Sequence, residues 1–200
     1  MPAPILFYFD FTSPYGYLAS TRIDALCATY GREVAWKPYL LGATFKVTGL
    51  PALPTVPMKG PYSAHDFLRS ARYHGIPYRQ PTTFPASMQA PSRAFYWAHD
   101  RDPAAAKALA RALYRAYFVE DVNISNPSDT VRIAASLGHD GAALDAALQS
   151  PELKERLKAE TDAAIAAGVF GSPFVIVDGE PFWGMDRLDQ VERWLRTGGF

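Results

Sequence analysis

Residues 5–11, "ILFYFDF", form an apolar and aromatic run that is too short for a helix and rich in β-forming side chains. The run predicts a buried strand. Downstream, Ala19, Ile23, Leu26, Cys27 and Tyr30 recur at the spacing of one helix face. They predict a helix from Tyr15 or Gly16 to about Tyr30, ended by Gly31. "EVAWKPYLL" predicts a second strand. Strand, helix and strand in succession make a right-handed βαβ unit with a parallel pair.

From Gly42 to about Pro61 the pattern lapses into "GATFKVTGLPALPTVPMKGP", which predicts a long loop of the kind that is often functional. Helical patterning then returns at 64–75, 91–101, 103–119, 127–137, 141–149 and 151–167, punctuated by "HGIPYRQPTTFP", "DRDP", "SNPSD" and "LGHDG". "PFVIVDGEPFWG" predicts two short strands joined by a two-residue type I′ turn at Asp178-Gly179. A last helix is expected from about Asp186 to Thr197. The fold class that follows is α/β: a thioredoxin-like fold (βαβ … ββα) with an all-helical insertion. Its thioredoxin-like domain is expected at 1–44 and 166–200, and the insertion at 45–165, beginning with the Pro/Gly-rich loop.

Composition narrows the function classes. Twenty basic residues balance twenty acidic ones, so there is no field to gather phosphate backbones or anionic lipid, and neither nucleic acid nor membrane is expected as a partner. "MPAPILFYFDF" has no basic leader, and Asp10 interrupts its apolar stretch, which argues against a signal peptide. A single cysteine, Cys27, excludes an internal disulfide and a multi-cysteine metal cluster. The expected location is the cytoplasm.

Three stretches carry candidate chemistry. In "TSPYG", Ser13 stands where a strand gives way to a helix, beside the free N–H groups of the first turn. Ser13 can be a plain N-cap with Pro14 at N1, or an anion-binding hydroxyl, or both. In "GVFGSPF", Ser172-Pro173 precedes a strand, where a proline marks an ordinary turn, an edge or a cis bond. The backbone of Ser172 could then pair with an extended peptide. In "WGMDR", Gly184 permits close backbone approach, and Asp186 is expected to cap the last helix with Asp189 at N3. The same helix start could hold a carboxylate while the Asp186 side chain meets an ammonium.

Together "FYFDFTSPYGYLA", "GVFGSPFVIVDGEPFWGMDRL" and the helical middle resemble the 2-hydroxychromene-2-carboxylate isomerase family, relatives of kappa-class glutathione transferases in the DsbA-like thioredoxin group. The resemblance spans essentially the whole chain, including "YGRE" and "GIPYRQPTTFP". It implies glutathione as cofactor, a small aromatic-derived carboxylate as substrate, and a homodimer. It also implies roles: Ser13 at the glutathione sulfur, Ser172 before a cis-Pro173 at the cysteinyl unit, and Trp183, Gly184, Met185 and Asp186 at the γ-glutamyl end. Lys46 and Phe84 fall near substrate contacts. The chain departs from the family pattern at "TGLPALP", where Leu50 stands near an expected Asn.

A serine at this turn can donate to a thiolate and cannot form a disulfide with it, so DsbA-type oxidoreduction is not expected. The implied activity is glutathione-dependent cis–trans isomerisation of a 2-hydroxychromene-2-carboxylate type compound. The alternatives are a kappa-like transferase that conjugates electrophiles, and a non-catalytic peptide-binding module. Cys27 reads as a buried structural residue, and the aromatics of "RAFYWAHD" as helix packing with one or two free to line a pocket. His65, His74, His99 and His139 show no ligand spacing, so no metal is expected.

Overall fold

A computed structural model describes residues 3–200. The first two residues of the stretch read for a leader, and of the expected first domain, lie outside the described residues. Strand β1 (Ile5–Phe9) pairs in parallel with β2 (Val34–Pro38), Phe7 opposite Trp36. Strand β3 (Phe174–Val177) joins antiparallel to β1 and β4 (Glu180–Trp183) antiparallel to β3, giving the order β2-β1-β3-β4. Both residues of the hairpin turn, Asp178 and Gly179, have positive φ, as a type I′ turn demands.

β1 reads as unbroken apolar sequence because both of its faces are covered. Phe7 and Phe9 pack with Phe11, Trp36, Phe95 and Tyr114 on one side. Tyr8 packs with Tyr39, Ala164, Val169 and Phe174 on the other. At roughly 2 kcal/mol per buried large side chain, these clusters outweigh any single polar contact at the sheet's end.

The expected first helix is two helices, α1 (Pro14–Ser20) and α2 (Ile23–Ala28). The break has a local cause: Ser20 Oγ donates to Tyr17 O (2.6 Å) and Thr21 Oγ1 to Leu18 O (2.8 Å), which draws carbonyls out of the ladder. The expected long loop is corrected too. Residues Leu41–Thr48 form a helix, α3, ended by Gly49 in the left-handed conformation, and Leu53–Thr55 form a 3-10 turn. The remaining helices are α4 (Lys59–Tyr73), α5 (Gln89–His99), α6 (Pro103–Phe118), α7 (Pro127–Ser136), α8 (Gly141–Gln149), α9 (Pro151–Ala166) and α10 (Leu188–Thr197). All six helical patterns of the middle stretch are present. Among the described residues no helix is long and apolar enough to cross a membrane.

Candidate functional site

β1 delivers the chain to Ser13 at the end of the sheet. Ser13 has extended backbone, its Oγ accepts from Gly16 N at 3.0 Å, and Pro14 follows, so it is the N-cap of α1. The same hydroxyl donates to Ser172 O at 2.7 Å. Ser13 is therefore both a helix cap and the contact between two loops that lie 159 residues apart in sequence. Gly16 permits this approach, since a Cβ there would stand 2.8 Å from Ser172 Oγ.

The Ser172–Pro173 bond is cis. Ser172 Oγ accepts from Asp10 N (2.9 Å), and Tyr39 Oη donates to Gly171 O (2.7 Å), so buried groups hold the loop at both residues. Ser172 N has no acceptor among the described residues. Gly184 N donates to Pro173 O at 3.0 Å, which brings the Trp183–Asp186 stretch against the same loop.

Gly184 has φ 108°, a region closed to most side chains, and a Cβ on it would collide with Asp186 Oδ1. Asp186 is not the cap of the last helix. It lies in a 3-10 turn, Met185–Arg187, and α10 starts at Leu188 without a side-chain cap. The Asp186 carboxylate pairs with Arg187 at 2.7 Å and its side chain is 74% exposed, open to a ligand cation. Met185 is buried, and Trp183 is exposed, edge-on to Phe170 at 4.9 Å.

An aromatic row adjoins the serine turn. Tyr15 packs on Phe67 (4.9 Å) and Phe67 on Phe84 (6.3 Å), a row of rings leading away from the serine turn. The Tyr15 hydroxyl donates to Asp66, which also pairs with Arg69. Burial opposes ionisation of Asp66, but these bonds outweigh it and its pKa lies below the ordinary carboxylate value. Ala86 N meets Thr12 Oγ1 at 3.4 Å, so the segment carrying Phe84 touches the serine turn directly. Lys46 lies exposed in the last turn of α3 without an ion-pair partner among the described residues.

Sequence reasoning missed Asp10, Tyr39 and Tyr114 at this site. Asp10 is 4% exposed, with Oδ1 accepting from Thr12 N and Oδ2 from Leu41 N, both at 2.8 Å. Burial pushes its pKa up to about 6, against the pull of those two N–H groups. Tyr114 donates to Asp10 O at 3.1 Å from α6. The available signal was an acid inside the apolar run "FYFDF". Cys27 is fully buried, and burial pushes its thiol up to about 12, so it is no nucleophile. Phe95, Tyr96 and Trp97 are buried as packing.

Residues 4–196 match the DSBA-like thioredoxin domain family. The chain belongs to that family. Glutathione S-transferase kappa 2 of Caenorhabditis elegans is 30% identical over 204 residues, covering 96% of this chain and 91% of that one. A 2-hydroxychromene-2-carboxylate isomerase of Pseudomonas putida is 30% identical over 188 residues, covering 93% and 91%. A solved 2-hydroxychromene-2-carboxylate isomerase structure superposes with a TM-score of 0.88 at 29% identity, covering 97% of this chain and 95% of that one. These DSBA-like relatives are enzymes, an isomerase and a glutathione transferase. The DSBA-like fold here carries serine, not cysteine, at the start of α1.

Proposed function

We propose that this protein is a glutathione-dependent isomerase of the 2-hydroxychromene-2-carboxylate isomerase type, acting in the cytoplasm as a homodimer. The observation that carries the reading is the Ser13 hydroxyl, placed at the N-terminus of α1 and 2.7 Å from the Ser172 carbonyl. Glutathione, when bound, would supply a thiolate whose addition to a conjugated carbon makes a double bond rotatable and whose elimination restores that bond and releases the thiolate. The chain's own residues do the rest.

The residues fit such a ligand on their unused capacity. Ser172 N–H lacks an acceptor among the described residues and can donate to the cysteinyl carbonyl. Its carbonyl now takes the Ser13 proton, but it can accept a peptide N–H instead. That exchange frees the Ser13 O–H to point at sulfur while Oγ keeps Gly16 N. No hydrogen bond is lost in the exchange. A cysteine thiol with a pKa of about 8.5 is only a few per cent thiolate at pH 7. Lowering it by about two units, about 2.7 kcal/mol, makes thiolate the main form. A hydroxyl donor and the partial positive charge of a helix start act in that direction.

The Gly184–Asp186 turn, with Trp183 at its rim and Met185 seating it, receives the γ-glutamyl end, its ammonium on the Asp186 carboxylate. Phe84 borders the substrate ring, and Lys46 holds the substrate carboxylate. Spectrophotometry with 2-hydroxychromene-2-carboxylate should show conversion to the trans-o-hydroxybenzylidenepyruvate form only when glutathione is present. A rate independent of glutathione would rule the reading out. The equal identity to a kappa transferase and to an isomerase supports conjugation of an electrophile as the second reading. Product mass spectrometry separates the two, since a transferase leaves a stable adduct and an isomerase returns free glutathione.

A further inference from the structure

Asp10 bonds to the serine turn, the Ser172 loop, α6 and the start of α3. Its carbonyl accepts from Ser13 N (2.9 Å) and Tyr114 Oη, and its amide donates to Ser172 Oγ. Its carboxylate spans two elements. Oδ1 closes the serine turn on Thr12 N, and Oδ2 holds Leu41 N, the first residue of α3. Leu40, at the cap position of α3, makes no side-chain cap bond, so a residue 31 positions earlier supplies the cap. α3 carries Lys46 in its last turn.

We propose that the Asp10 carboxylate is a positioning residue that ties the Ser13 turn to α3, so that its ionisation sets both together. Two N–H donors face the two oxygens, and a carboxylate satisfies both at once. A carboxylic acid does so less well, because its hydroxyl oxygen is the weaker acceptor and its O–H adds a donor that needs its own partner. Tyr39 faces the group from the end of β2, and Tyr114 and Tyr117 from α6. Burial holds all three phenols above their ordinary pKa, so they stay neutral through the range concerned. No lysine, arginine or histidine pairs with Asp10 among the described residues.

A nearby thiolate would meet this carboxylate as a like charge, and each would raise the other's pKa. That part alone rests on the glutathione reading. The test is a pH titration of the 15N-labelled full chain from pH 4.5 to 8, following the Thr12 and Leu41 amides. Both should shift with one shared midpoint, and Asp10→Asn should abolish the shift at both. Different midpoints, or movement of one amide alone, would overturn the tie, and the wild-type titration decides this even if the variant does not fold. With glutathione bound, the shared midpoint should rise by about half a unit or more, while S-methylglutathione leaves it in place. Glutathione that binds without moving the midpoint overturns the charge coupling. Glutathione that fails to bind ends the functional reading, and the shared midpoint still decides the tie.

Discussion

Ser13 has two structural bonds and a proposed chemical role, and one substitution separates them. Ser13→Ala removes the cap of α1 and leaves the Ser172 carbonyl without its donor, together costing about 2 kcal/mol. If the hydroxyl also steadies a thiolate, turnover near neutral pH should fall roughly ten- to a hundredfold, with glutathione affinity mostly kept. Thermal unfolding, calorimetry and rate on one preparation read all three. A variant that is less stable but fully active would end the thiolate role. Asp10 makes a prediction of opposite character. Its folded pKa, about 6, stands above the ordinary 3.8, so the folded state holds the proton more tightly than the unfolded state. Its contribution is fully present below the unfolded value and fades as pH rises from about 4 to about 6, by about 3 kcal/mol. Denaturant unfolding of Asp10→Asn should lack that decline, whatever constant offset the amide introduces. An identical pH slope in variant and wild type would show that Asp10 does not titrate in this way.

Among elements, α1 and the Ser172 loop meet at van der Waals limit, and Gly16 is the reason. Helix propensity alone says that Gly16→Ala should stabilise by about 1 kcal/mol. The added methyl would stand 2.8 Å from Ser172 Oγ, 3.0 Å from Tyr114 Oη and 3.1 Å from Ser13 Cβ, with buried groups on every side. Overpacking of that kind costs about 1–3 kcal/mol, so the variant should be net destabilised by about 1 kcal/mol. A Gly16→Ala protein that melts above wild type would refute the close approach. The elements themselves were largely legible. The six middle helices follow from apolar periodicity, and four of them are also capped, by Asp102, Asn126, Asp140 and Ser150. The break at Thr21 was not, because apolar spacing continues across it while side-chain hydroxyls interrupt the backbone.

For the whole molecule, the candidate site lies at one end of a small mixed sheet whose strand β1 is covered on both faces, so the proposed ligand contacts are short segments on a packed base. A ligand bridging the serine turn, the Ser172 loop and the Gly184 turn should stabilise the chain as a unit. At about a hundred times its dissociation constant, glutathione should add about 2.7 kcal/mol, which raises Tm by roughly 5–10 °C for a chain of this size. Differential scanning fluorimetry against a glutathione series checks this. A concentration-independent Tm would contradict binding.

By itself, the sequence determined what depends on neighbours along the chain: the buried strand, the hairpin turn at Asp178-Gly179, the Ser13 cap, and serine where a disulfide could otherwise form. It also offered Ser13, Ser172 and the Gly184 turn as candidates, each readable as ordinary local structure, and only the family resemblance put them on one ligand. Only the tertiary structure decided that Ser13 and Ser172 share a hydrogen bond across 159 residues, and that Gly184 closes on Pro173. It also made a helix of Leu41–Thr48, whose cap comes from Asp10 and not from any adjacent residue. Local patterning reports propensity and burial. A cap or carbonyl satisfied from a distant strand leaves no local mark, and in this protein those distant satisfactions assemble the site.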